Sequence, residues 1–324
     1  MHRLTRAIRF AFYDWTREMP PSLRAVTMIG MGIQGYAIWA GVTRSLVWPV
    51  MWPTGWIIYP VVLLIYYLGY CIQNAALSSE FIRKTQLESE QRAAQAIQKT
   101  LQPTSIGGIP GYEVDASYTP LRAVGGDYFD VIDLEDGRTF FAVADVSGKG
   151  MPAALLAASI QALVRSLSGA STDVAVLASL INRHLCRYSP GNKFATAVFL
   201  VLDRGSGELV YVNAGHNPPL VWGSGPPRFL ESTGMALGWF DDAPYGTGHT
   251  RIAPGGGILL FTDGLPDSIP GDAPEERLCQ AIDGSLSRTM TNLKALVDPR
   301  FIEDDVTVLL LKRTAASASE ARSA

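Results

Sequence analysis

An α+β fold is what this sequence predicts: antiparallel sheets with helices packed outside them, preceded by a two-helix transmembrane hairpin. Three observations predict it. Residues 25–42 and 56–72 are apolar runs without a single charge, each close to the roughly 17–25 residues a membrane-spanning helix needs. From Gln73 to Gln102 the chain is polar and free of Gly and Pro, the pattern of a long helix. Beyond it, short segments rich in Val, Ile, Leu, Phe and Tyr come in groups on either side of paired helical patterns. That order favours antiparallel sheets covered by helices over a repeating βαβ unit.

Residues 1–23 place Leu4, Ile8, Phe12 and Trp15 on one helical face among arginines. That pattern suits an amphipathic segment lying on the inner leaflet, or equally a short cap on the spans. Residues 24–73 form the predicted hairpin, with Trp48, Trp52 and Trp56 where tryptophan sits at headgroup level. Arg3, Arg6, Arg9, Arg17 and Arg24 precede it, and Arg83, Lys84 and Arg92 follow. By the positive-inside rule both ends, and the globular part with them, face the cytoplasm. A buried helical hairpin is the alternative. A signal peptide fits poorly, because the apolar run starts late, a second follows at once and no small-residue cleavage site is apparent.

Residues 74–103 predict a helical linker with Leu87, Ala94 and Leu101 at heptad spacing and Ile97 between the last two. Pro103 and the Gly107-Gly108 pair end it. The weak stripe fits either a dimerising helix or a solvated spacer. Residues 104–313 read as one domain, with strands at 112–119, 128–134, 139–145, 194–203, 208–213, 257–262 and 306–312. Helices are expected at 152–167 and 172–187, the second opening on the capping residues Ser171, Thr172 and Asp173. Residues 314–324 are small and polar, the composition of a disordered tail.

Net charge is −3, so no basic field points to a nucleic-acid partner. Cys71, Cys186 and Cys279 are odd in number and far apart, and the four histidines, His2, His184, His216 and His249, are scattered. Neither a disulfide framework nor a zinc site is built from them. Any metal would be held by carboxylates, which suit magnesium or manganese.

Acidic residues close four apolar or glycine-rich motifs. Val124-Gly125-Gly126-Asp127-Tyr128-Phe129-Asp130 is the first, and Val143-Ala144-Asp145-Val146-Ser147-Gly148-Lys149-Gly150 the second. Phe261-Thr262-Asp263-Gly264 and Glu303-Asp304-Asp305-Val306-Thr307 complete the set. Each leaves a carboxylate at the mouth of a buried strand. Several such groups at one rim repel each other and lose solvation, so they become favourable together only when cations neutralise them. Two hard cations would also activate a water for attack on phosphorus. One such motif alone is usually a plain turn.

Together, the segment 120–157 and the motifs Asn213-Ala214-Gly215-His216-Asn217-Pro218-Pro219, Leu237-Gly238, Phe261-Thr262-Asp263-Gly264 and Asp304-Asp305-Val306-Thr307 resemble a known family. It is the bacterial branch of the type 2C metal-dependent serine/threonine protein phosphatases, that of stage II sporulation protein E and the phosphatases regulating alternative sigma factors. The resemblance covers about residues 95–312 and implies an α-β-β-α sandwich with two Mn2+ or Mg2+ ions between the sheets at one edge. It implies Asp145 as bridging carboxylate with the Val146 carbonyl beside it, Asp127 at one metal, and Asp263 and Asp304 at the second. Asp130 and Asp305 are expected to be structural, accepting backbone bonds. Where eukaryotic members carry a histidine, two residues after the bridging aspartate, this chain has Ser147. His216 is the spare histidine, preferred as structural in its turn. Arg122 either pairs with substrate phosphate or is solvated, the second being preferred.

The resemblance implies as substrate a phosphorylated regulatory protein, an antagonist of an anti-sigma factor. The membrane part falls outside the resemblance, and the apolar runs with their flanking arginines predict the bacterial cytoplasmic membrane as location. Two alternatives stay open: a catalytically silent partner-binding domain and a small-molecule phosphatase. The Gly125-Gly126-Asp127-Tyr128-Phe129 stretch is unlike a diguanylate cyclase loop in lacking its second acid. Ser147-Gly148-Lys149-Gly150 lacks the hydroxyl and the upstream glycine of a nucleotide phosphate loop.

Overall fold

A computed structural model describes residues 33, 36, 40, 41, 55–103, 107–168, 173–189, 191 and 193–315. The chain divides into two units, residues 1–83 and 84–324. Of the hairpin's first apolar run, only Ile33, Tyr36, Ala40 and Gly41 are described, and all are helical. The second run does not end where the linker was expected to begin. Helix α1, Gly55–Leu101, runs unbroken through both, because neither Gly nor Pro interrupts the chain between Gly69 and Pro103. Among the described residues no helix is long and apolar enough to cross a membrane. The amphipathic segment and the tail beyond residue 315 lie outside the described residues.

Strand register builds the globular unit. β1 (Tyr112–Thr119), β10 (Val306–Arg313), β9 (Gly257–Phe261), β6 (Leu220–Trp222) and β7 (Arg228–Phe229) form one five-stranded sheet in that spatial order. β2 (Tyr128–Asp133), β3 (Arg138–Val146), β4 (Ala195–Asp203), β5 (Glu208–Ala214) and β8 (Gly248–Arg251) form the other. All the ladders are antiparallel.

Because side chains alternate along a strand, each sheet has an inner and an outer face. Phe129, Val143, Val198, Leu200, Leu260, Leu309 and Leu311 fill the space between the sheets. The outer face of the β2–β3–β4 sheet, with Phe140, Ala142, Ala144 and Phe199, packs on helices α2 (Met151–Leu167) and α3 (Val174–Tyr188). Asp173 caps α3, its side chain accepting from the backbone N–H of Ala175 and Val176. The other sheet's outer face, with Leu259, Phe261, Val308 and Leu310, is covered by α4 (Gly264–Asp267), α5 (Pro274–Ala281) and α6 (Leu286–Leu296). The layers are helix, sheet, sheet, helix.

Candidate metal centre

The alternation that fills the core also aims the acids. Asp127 stands two residues before Phe129, Asp145 two after Val143, Thr262 two after Leu260, and Thr307 two before Leu309. Each continues an inner-face series past the end of its apolar run, so all four side chains meet at one edge of the gap between the sheets. Asp127 is 3 % exposed, and its Oδ2 accepts from the hydroxyls of Thr262, at 2.8 Å, and Thr307.

The backbone there is close-packed for want of side chains. A Cβ on Gly126 would lie 2.9 Å from the Val146 carbonyl oxygen, and one on Gly125 would lie 2.2 Å from Asp305 Oδ2. Glycine at both positions lets the Asp127 loop press against the end of β3 and bring the Val146 carbonyl to the same edge. Asp305 ties that loop down: Oδ1 accepts from Leu121 N at 2.8 Å and Oδ2 from Gly126 N at 2.7 Å. Gln98 of α1 closes it from outside, donating to the Gly125 carbonyl at 2.8 Å and accepting from its N–H at 3.1 Å.

The carboxylates feel one another. Burial raises Asp127 well above the usual carboxylate range, and the neighbouring Asp145 charge raises it further. Asp145 is pushed up to about 7 by burial, then by Asp263, Asp304 and Asp305. Burial and Asp304 raise Asp263, whose buried Oδ1 has no hydrogen-bond partner. A buried acceptor without a partner costs about 1–3 kcal/mol, and like charges add to that. Among the described residues no three acidic, imidazole or thiol side chains converge tightly enough, as they stand, to enclose a metal ion. The donor set still fits one: oxygen ligands only, an orphaned carboxylate oxygen, and charges that repel until a cation neutralises them. One cation is supplied by the chain itself, as Lys149 Nζ lies 3.1 Å from Asp304 Oδ2.

Residues 135–314, more than half of the 324-residue chain, match the family of stage II sporulation protein E (SpoIIE). The chain belongs to that family. Its globular unit is a phosphatase domain of the metal-dependent protein serine/threonine type. Protein IcfG of Synechocystis sp. is 28% identical over 201 residues, 53% of this chain and 32% of that protein. The phosphoserine phosphatase RsbU of Bacillus subtilis is 25% identical over 240 residues, 70% of this chain and 71% of the relative. The chain thus spans about a third of one relative's length and under three quarters of the other's. Among solved structures, the RsbU and RsbW domains of a Mycobacterium tuberculosis protein superpose with a TM-score of 0.58 at 29% identity. That match covers 67% of this chain and 64% of the other.

Within this SpoIIE-family domain the remaining site residues fall in different places. Asp130 faces away from the gap: it is fully buried on the outer face, where Arg165 donates to it through Nε at 2.7 Å and Nη2 at 3.0 Å. Tyr128 donates its hydroxyl to the same carboxylate at 3.1 Å. His216 is 5 % exposed, with Nδ1 2.8 Å from the Thr196 hydroxyl and its N–H bonded to Asn213 Oδ1 at 2.7 Å. Burial holds its pKa down to about 4, against the opposing pull of the Phe261 carbonyl, so it is neutral at pH 7. Ser147 serves its loop, its Oγ accepting from Phe194 N at 3.0 Å. Arg122 is exposed, its guanidinium 3.7 Å from where a Cβ on Gly150 would stand.

Sequence reasoning missed Thr262, Thr307, Gln98 and Lys149. The two threonines had a readable signal, since each continues an inner-face series next to an aspartate already singled out. Gln98 had none, because its partner is 27 residues away and is a backbone group.

Proposed function

We propose that this chain is a membrane-anchored phosphatase that hydrolyses phosphoserine or phosphothreonine on a regulatory protein, an antagonist of an anti-sigma factor in the sigma-factor setting. One observation carries the catalytic part. Asp145 of β3 and Asp127, Asp263 and Asp304 of the turns beside β2, β9 and β10 crowd one another at one edge of the gap, with their charges unbalanced and one buried oxygen unpaired. A chain evolved only to fold gains nothing from that arrangement.

Asp127, Asp145 with the Val146 carbonyl, Asp263 and Asp304 are the residues that would hold two Mg2+ or Mn2+ ions. Such ions activate a water and neutralise charge developing on the phosphoryl oxygens. The chain's own part is orientation. The Thr262 and Thr307 hydroxyls fix which oxygen of Asp127 faces the gap. Asp305 and Gln98 hold the loop that carries Asp127. Lys149, beside Asp304, adds positive charge where a phosphate dianion must arrive.

The membrane part rests on the two charge-free apolar runs and on the arginines flanking them, which place both termini and the catalytic domain at the cytoplasmic face. The name of the RsbU relative, a phosphoserine phosphatase, supports the choice of leaving group. A homodimer through α1 fits the heptad spacing of Leu87, Ala94 and Leu101, of which Leu87 and Leu101 are exposed.

The deciding experiment is manganese-dependent hydrolysis of a phosphoserine peptide by the full chain. Asp145→Ala and Asp263→Ala are each expected to lose roughly 10³-fold in rate, several kcal/mol of transition-state stabilisation. A wild type as inactive as those variants would make this a partner-binding domain. Faster turnover of free phosphate esters than of phosphoproteins would make it a small-molecule phosphatase. Recovery of the chain in the soluble rather than the membrane fraction would remove the anchor.

A further inference from the structure

Beside the carboxylate edge lies an aromatic cluster, two of its three rings exposed, that the hydrolytic chemistry leaves unused. Phe194 stacks on Trp239 with centroids 5.2 Å apart, and Trp239 on Phe240 at 6.4 Å with the rings 6° from parallel. Trp239 is 57 % exposed and Phe240 55 %. Two adjoining aromatic side chains more than half exposed on a loop held by hydrogen bonds mark an interaction surface.

Two features tie it to the centre. Ser147, two residues after Asp145, bonds Phe194 in both directions: its N–H donates to the Phe194 carbonyl at 2.9 Å, and its Oγ accepts from Phe194 N at 3.0 Å. Lys193, next to Phe194, donates from Nζ to the Ser147 carbonyl at 2.8 Å. Phe194, on which Trp239 stacks, and the Lys193 ammonium therefore border the loop that follows Asp145. The presentation is rigid. Asn182, buried in α3, donates to the carbonyls of Phe240 at 2.8 Å and Asp241 at 2.9 Å, and accepts from Gly238 N at 2.8 Å. A buried amide with three bonds to one exposed loop fixes the rings without burying them.

We infer that Phe194, Trp239 and Phe240 form a docking platform for the polypeptide beside the phosphorylated residue of a protein substrate, preferring apolar side chains there. This rests on the phosphatase reading. The occupant follows from position: a phosphoserine seated at the carboxylate edge lays its neighbouring residues across the adjoining rim. Lys193, with its ammonium on the Ser147 carbonyl between Asp145 and Phe194, suits a chain that carries a phosphate next to apolar groups. Rigid, half-exposed tryptophan is the residue type that most often dominates a protein interface.

The test compares Trp239→Ala and Phe240→Ala with wild type on three substrates. They are p-nitrophenyl phosphate, a phosphoserine decapeptide flanked by Leu and Val, and the same peptide flanked by Gly and Ser. Wild type should favour the apolar peptide through KM, and the variants should lose about tenfold in kcat/KM on that peptide alone. Unchanged p-nitrophenyl phosphate hydrolysis shows that the centre is intact. Equal treatment of both peptides by wild type, or an equal fall on all three substrates, overturns the platform. So does a variant whose sedimentation coefficient changes while its peptide preference does not, which would make the surface a self-association site. Should wild type hydrolyse nothing with manganese, the phosphatase reading fails separately. Fluorescence anisotropy of the two labelled peptides on wild type and Trp239→Ala then still decides the platform: tenfold weaker binding of the apolar peptide supports it, and equal binding overturns it.

Discussion

Asp127, just before β2, and Asp130, within it, are three residues apart and both buried, yet they live in opposite electrostatic worlds. Asp130 points to the helix side, where a two-pronged Arg165 guanidinium, a tyrosine hydroxyl and the Val131 N–H balance its charge. Asp127 points between the sheets, where its protein donors are two neutral hydroxyls and its neighbours are further carboxylates. The outer face solves its buried charge within the protein. The inner edge leaves the charge to be solved by something that arrives. That difference, rather than burial itself, separates a structural acid from one equipped for chemistry.

Thr307→Val strikes the inner side hardest without removing an acid. It frees one oxygen of Asp127 from its orienting hydroxyl, and manganese-dependent hydrolysis should fall by about 10–100-fold. Thr262→Val should behave alike, and titrating manganese against rate separates weaker metal affinity from slower turnover. An unchanged rate would mean that Asp127 needs no orienting partner.

A second contrast appears in pH dependence without metal. Asp145 has a folded pKa pushed up to about 7 by burial and its acidic neighbours, so the folded state holds its proton more tightly than the unfolded chain does. The stability this contributes is complete below the ordinary carboxylate range and is lost as pH rises from about 4 to about 7. The slope should approach 1.4 kcal/mol per pH unit for a single proton. Urea denaturation in a chelator should show that decline, Asp145→Asn should make it shallower while the raised Asp127 and Asp263 retain part of it, and saturating manganese should reverse it. A metal-free protein equally stable at pH 5 and pH 7 would contradict the crowding of the inner edge.

The smallest effect is expected on the outer face. Asp130→Asn keeps the shape but discharges the partner of Arg165, a side chain that is itself 53% exposed and so able to rehydrate. The cost should be about 1–2 kcal/mol of stability, read as a lower urea midpoint, while the rate per folded molecule stays near wild type. A large loss of rate would place Asp130 with the inner acids after all.

Much of the frame was legible in the chain. Strands β1 to β5, β9 and β10 and helices α2 and α3 lie within a residue or two of where alternation and capping put them. β6, β7 and β8 were not legible, being two to four residues long in a stretch rich in Gly and Pro, too short to show a period. α6 was legible but overlooked: Leu286, Thr289, Met290 and Leu293 recur at helical spacing and are the buried positions. At the site, the aspartates announced themselves through apolar runs that end in acid. The partners that tune them did not, because Gln98–Gly125 and Thr307–Asp127 join residues 27 and 180 positions apart.

The residue order alone determined that acids sit at the ends of buried strands, since the two-residue repeat of a strand is a local property that any window of the chain displays. Which acid faces the other carboxylates between the sheets and which faces an arginine was decided only when the sheets stacked and α2 crossed the back of β2. Burial, charge balance and hydrogen bonding are properties of neighbours in space, and folding alone makes Arg165 the neighbour of Asp130 and Asp145 the neighbour of Asp127.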